Sequence, residues 1–148
     1  MIGALMLRIG SRRGWAAVNR RDLDHFDSLI AEDIVYDVAG EPPLGGHFVG
    51  KAAWREANER WMEPLASFRF RVLNEALTRP LALGLTNVVL TEYELIERTR
   101  DGRELRTRGI DVSEIRRGKV VAERNYLFDL EAEAALRRPS SEAGPSEL

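Results

Sequence analysis

The chain contains no cysteine. That excludes disulfides, thiolate metal sites and cysteine nucleophiles. Histidine is nearly as scarce: only His25 and His47 are present. A catalytic zinc site draws on several His or Cys ligands, so no metal is expected. Basic residues number 22 against 24 acidic ones, a formal net charge of −2, and no long basic run argues for nucleic acid. No stretch approaches the ~20 apolar residues of a spanning helix. The opening MIGALMLRIG lacks a basic n-region and a clear cleavage site. These absences predict a soluble, cytoplasmic protein with neither nucleic acid nor membrane as partner. No glycine-rich phosphate loop, nucleophile elbow or EF-hand pattern occurs, and no cofactor is called for.

What is present suits one domain. With 148 residues, 44% of them hydrophobic and 31% charged, the chain can bury a sizeable core. Residues 1–11 read as an N-terminal extension and 12–136 as the folded domain. The tail 137–148, RRPSSEAGPSEL, is rich in Pro, Ser, Gly and Glu and is expected to be disordered. No internal repeat is found.

The N-terminal half reads as helices around one strand. Trp15 and Val18 face a core on the first helix. Asp22 is placed to cap the second, and Leu23, Phe26, Leu29 and Ile30 follow helical spacing. A strand is predicted at roughly 34–38, then a Pro/Gly loop, then a third helix after Gly50. On that helix Trp54, Ala57, Trp61 and Leu65 form one stripe, and Pro64 helps end it. From residue 68 the pattern alternates, as half-buried strands do. Asp101-Gly102 and Arg117-Gly118 sit between strand-like runs as hairpin turns. An antiparallel meander covered by helices is an α+β layout.

Acids stand at two unusual places. Asp37 ends the apolar run Ile34-Val35-Tyr36, under a loop carrying Gly40, Pro42, Pro43, Gly45 and Gly46. It is either a solvated edge charge or a base at the mouth of a pocket. The second place depends on register. A two-residue turn at Asp101-Gly102 pairs Glu97 with Arg106, Tyr93 with Ile110, Glu94 with Gly109 and Glu92 with Asp111. Two acids face to face would raise one pKa and share a proton; the alternative is a solvated face. A two-residue turn at Arg117-Gly118 then sets Arg124 opposite Asp111, and one more residue sets Asn125 there.

Three segments carry a resemblance: NRRDLDHFDSLIAEDIVYD, GGHFVGKAAW and GIDVSEIRRGKVVAERNYLFD. In that order they resemble the SnoaL-like family of the nuclear-transport-factor-2-like superfamily, over about residues 12–130. The resemblance implies a cone-shaped fold, also called cystatin-like: three N-terminal helices against a curved antiparallel sheet enclosing a pocket, commonly as a homodimer. YDVAGEPP is similar to the general-base segment of ketosteroid-isomerase-like members, which implies Asp37 as the base. GIDVSEI is similar to their oxyanion segment, which implies a neutral Asp111 as donor. The helix-one tyrosine of those enzymes falls at Gly14 here, so half of that oxyanion site is missing. Members like limonene epoxide hydrolase would use Tyr36 and Asn125, but the expected Asp and Arg are absent. Polyketide-cyclase-like acid/base pairing would use His47 with Asp111.

The expectation is therefore acid/base proton transfer on a hydrophobic small molecule, with Asp37 and Asp111 catalytic. Trp15, Tyr36, His47, Trp54, Trp61, Glu92, Glu94 and Asn125 are the candidate substrate contacts. Epoxide hydrolysis and a binding domain without turnover stand as the alternatives.

Overall fold

The computed structural model describes residues 2–78 and 86–138, with side chains from residue 10 onward. The tail predicted to be disordered lies, from residue 139, outside them. In chain order the elements are α1 (Ile2–Asn19), α2 (Leu23–Asp27), β1 (Ile30–Val38), β2 (Gly46–Val49), α3 (Lys51–Met62), β3 (Leu65–Leu77), β4 (Asn87–Thr99), β5 (Glu104–Arg116), β6 (Lys119–Leu127) and α4 (Leu130–Arg137). No helix among the described residues is long and apolar enough to cross a membrane.

Local chemistry accounts for several boundaries. The Asp22 side chain accepts from the His25 N–H at 3.1 Å, so α2 starts where a capping residue was expected. Leu29 and Ile30 do not continue that helix. Ile30, β-branched and buried, opens β1 instead. The GGHFVG segment expected as a loop forms β2, because its backbone can pair with β1.

One six-stranded curved sheet runs in the order β2-β1-β6-β5-β4-β3. It is antiparallel except where β1 lies parallel to β6. The helices cover its concave face. Asn19, at the end of α1, clamps the backbone of β3: its Nδ2 donates to the Phe70 carbonyl at 2.9 Å and its Oδ1 accepts from the Phe70 N–H at 2.7 Å. Two buried clusters fill the ends. One joins Met62, Leu65, Phe68, Tyr93 and Leu95, and the other joins Ile30, Ile34, Tyr36 and Trp54.

Register is where structure and expectation part. The first hairpin loop has three residues, Arg100, Asp101 and Gly102, with Gly102 at φ +90° and Thr99 opposite Arg103. A loop one residue longer moves every pair by one. Tyr93 faces Gly109, Thr91 faces Asp111 and Ile96 faces Arg106. The predicted pairs Glu97–Arg106 and Glu92–Asp111 do not form. The second turn is two residues, Arg117 (φ 50°) and Gly118 (φ 77°), both in the left-handed region that a type I′ hairpin demands. A bulge then follows: Ile115 pairs with Val120 but Glu114 with Ala122. The extra residue sets Asn125, not Arg124, opposite Asp111.

Candidate functional site: an acidic pair in an apolar cavity

The concave face encloses a cavity of about 400 Å³. Side chains alternate along a strand with period two, so one parity on each strand lines it. On β4 these are Val89, Thr91, Tyr93 and Leu95, and on β5 Asp111, Ser113 and Ile115. On β6, beyond the bulge, they are Glu123, Asn125 and Leu127, and on β1 Tyr36 and Val38. Trp15 from α1 and Trp54 and Trp61 from α3 close the other side. The walls are largely aromatic: Trp15 lies 5.1 Å from Phe70 and 5.6 Å from Tyr93, centroid to centroid.

Asp111 is 4% exposed. The Ser113 hydroxyl donates to its Oδ1 at 2.6 Å. Burial pushes its carboxyl from 3.8 up to about 6, against the pull of Ser113, Glu123 and Arg124 toward ionisation. Glu123, two residues before Asn125 on β6, is hydrogen-bonded to Asp111. Burial first, and then the Asp111 charge, push the Glu123 carboxyl well above the usual carboxylate range. Trp54 Nε1 donates to Glu123 Oε2 at 3.0 Å, which leaves Oε1 for a proton. The two acids form a coupled carboxyl pair at the cavity wall, and burial raises both above the ordinary carboxylate range.

Beside them the Tyr93 hydroxyl donates to Asn125 Oδ1 at 2.6 Å. Tyr93 is fully buried and crosses β5 at Gly109, where a Cβ would stand 2.4 Å from its hydroxyl. Only glycine leaves room there.

Several sequence candidates lie elsewhere. Asp37 is a neighbour of Tyr36 and Val38, which both line the cavity, so the pleat turns it to the opposite face. There it pairs with His47 across β1 and β2, Nδ1 to Oδ1 at 2.5 Å, with side chains 45% and 65% exposed. Neither lines the cavity. Glu92 and Glu94 also point outward, since β4 offers its odd positions to the cavity. Glu92 accepts from Asn74 at 2.6 Å, and Glu94 pairs with Arg71 at 3.1 Å. Asp111, Tyr36, Asn125 and the three tryptophans are brought together. Asp37→Asn is expected to leave stability within about 1 kcal/mol, the usual worth of an exposed ion pair, and to leave ligand binding in the cavity unchanged. Thermal melts and tryptophan fluorescence titrations read both.

Sequence reasoning missed Glu123. The bulge at Val121 breaks the alternation of KVVAERNYL, so parity counted from the turn points Glu123 the wrong way. It also missed a second buried cluster at the α4 end. Arg137 bonds both Glu97 and Glu133, the latter at 2.7 Å, and its Nη1 donates to the Trp61 carbonyl at 2.8 Å. The spacing Glu133–Arg137, one helical turn apart, was its signal.

Helices over a curved sheet, closed around an apolar cavity with acids on its wall, define a domain of the nuclear-transport-factor-2-like class. Within that class the chain belongs to the SnoaL-like domain family, whose family model matches residues 11–123. No curated protein matches it. Among solved structures it is similar to Bal32a from a soil-derived mobile gene cassette, at 22% identity and TM-score 0.72, covering 86% of this chain and 93% of that one. It is also similar to an NTF2-like protein of unknown function from Burkholderia pseudomallei, at 18% identity and TM-score 0.70, covering 86% and 95%. A third is TerC co-crystallized with polyporic acid, at 18% identity and TM-score 0.64, covering 84% and 93%. At such identities the likeness shows the fold alone.

Proposed function

We propose that the protein is an acid/base enzyme that moves a proton on a hydrophobic small molecule, in an isomerisation or an aldol-type cyclisation. One observation carries this reading: Asp111 is a carboxyl only 4% exposed on the wall of an apolar cavity, beside the carboxyl of Glu123. Ionised, it is the base. It takes a proton from a carbon next to a carbonyl and returns it at another position. Glu123 keeps its own proton and stabilises the Asp111 carboxylate by hydrogen bonding, without competing for the substrate proton. The aromatic walls bind the apolar skeleton and exclude water, which keeps the base desolvated. The role first assigned to Asp37 thus passes to Asp111. A homodimer is part of the same proposal. Its contact would be the outer sheet face, where half-buried Ile96 lies between Arg69 and Arg106 and exposed Leu90 between Ala76 and Val112.

The test is a pH profile. A panel of cyclic and aromatic ketones is screened in D₂O for exchange of the hydrogens next to the carbonyl. For a ketone that responds, kcat/KM should rise as Asp111 loses its proton, with the limb at about 6. An ordinary Asp would place it near ~3.9. If no ketone exchanges, yet apolar ligands raise the melting temperature, the protein binds without turnover.

A further inference from the structure

The protein buries two pairs of carboxyls, and they are built differently. Glu97 and Glu133 share Arg137, which is 8% exposed, bonds both acids and lies 5.2 Å from the centre of the Trp61 ring. One cation, one aromatic face and one proton satisfy that pair, the proton staying on Glu97. Asp111 and Glu123 have neutral donors instead: the Ser113 hydroxyl on Asp111 and the Trp54 indole on Glu123. Beyond these, the two carboxyls bond each other. Arg124 acts on Asp111 through its charge. It lies between Glu123 and Asn125, which line the cavity, so the pleat turns it to the outer face. Where the first pair has its arginine, the second has a cavity of about 400 Å³.

The lining is as one-sided as the pair. Asp111, Glu123 and Glu133 all reach it, and Arg60 is the one basic side chain of the lining among the described residues. Arg60 is half exposed and paired with Glu56 at 2.6 Å. Aromatic rings surround the acids. Trp54 bonds Glu123, Tyr36 is its register partner, and Tyr93 feels the charges of both Asp111 and Glu123. A buried carboxylate is stable beside a cation, and aromatic faces attract one. We infer that the cavity binds a hydrophobic amine in its protonated form, with the ammonium on the Asp111–Glu123 pair and the apolar part among the aromatic rings. The ammonium takes the place that Arg137 has in the other pair. Burial holds both carboxyls above the ordinary range, so the ammonium displaces a carboxyl proton to solvent, and no covalent bond to carbon changes. The other titratable groups facing the pair do not compete. Burial keeps the phenols of Tyr36 and Tyr93 protonated, and Glu133 is held by Arg137. The inference goes beyond proton transfer on a ketone and needs no turnover.

The test uses 1-naphthylmethylamine, with 1-naphthylmethanol as a neutral probe and 1-naphthoate as an anionic one of similar shape. Calorimetric titration at pH 7 should show the amine binding roughly 10–100-fold tighter than the alcohol, the usual worth of a hydrogen bond to a charge. Amine affinity should rise as pH rises through about 6, where Asp111 ionises, while alcohol affinity stays level. Titration at pH 6 in two buffers of different ionisation enthalpy should show a proton released with the amine and none with the alcohol. Asp111→Asn combined with Glu123→Gln keeps the shapes and removes both acids. That variant should bind the amine no tighter than the alcohol and release no proton. Equal affinity for amine and alcohol in the wild type overturns the inference. So does an amine preference that survives the double substitution, or tightest binding of the naphthoate. Should the double variant fail to fold, the pH profile and proton count of the wild type decide. Amine preference in a protein that exchanges no ketone would keep this site and end the enzyme reading. Ketone exchange without amine preference would do the reverse.

Discussion

Replacing Asp111 with asparagine is expected to lower turnover of a responsive ketone roughly 10²–10⁴-fold, the usual contribution of a positioned general base. Asparagine keeps the shape and can still accept from Ser113, so the cavity should remain intact. KM should change little, because the apolar walls supply most of the binding. Stability separates a chemical effect from a folding defect. The Asp111 pKa is raised from 3.8 to about 6, so between those values the native state binds a proton that the unfolded chain has released. By linkage, stability falls as pH rises through that window, and above it the wild type carries the cost of a buried charge. Asparagine carries no such charge. At pH 8 the variant should therefore melt no lower than wild type while turning over far more slowly. Equal turnover in the two proteins would remove Asp111 from the mechanism.

The largest effect on stability is expected at Arg137. Its side chain is 8% exposed, and those of Glu97 and Glu133 are fully buried. Its guanidinium also lies 5.2 Å from the Trp61 ring centre. It is the cation that allows two carboxyls to be buried together. Burial, then the hydrogen bond and charge of Glu133, push Glu97 up to about 9, and Arg137 pulls the other way. Glu97 is therefore the protonated partner at neutral pH. Arg137→Met keeps the apolar length but strands the acids, and about 3–5 kcal/mol should be lost, as when one partner of a buried ion pair is removed. Urea denaturation reads this directly. Adding Glu133→Gln to Arg137→Met should restore part of the loss. The same cluster gives a pH signature. The native state holds a Glu97 proton that the unfolded chain releases above 4.5, so stability falls as pH rises toward about 9. Glu97→Gln should flatten that decline, and an unchanged slope would show that Glu97 does not carry it.

Much of the fold was legible in the chain. The Asp22 cap, the Gly50 start of α3, the stop near Pro64 and the alternation from residue 68 are local signals, and each reports a local conformation. The ordered segments that resemble SnoaL-like proteins pointed to the family, and Asp111 was singled out from them. What local signals could not decide was which face each acid would take. Strand side chains repeat every two residues, so a shift of one residue exchanges inside for outside. A third loop residue before Arg103 moved Asp111 from a face shared with Glu92 and Glu94 to one shared with Thr91 and Tyr93. The bulge in β6 brought Glu123 and Asn125 to the same wall. The pleat of β1 sent Asp37 out to His47 and turned Tyr36 inward. Composition and local pattern determined the kind of fold and supplied the acids. Only the packed sheet decided which acids share a cavity, because loop length and one bulge, set by how the strands close around the core, determine the parity of every residue beyond them.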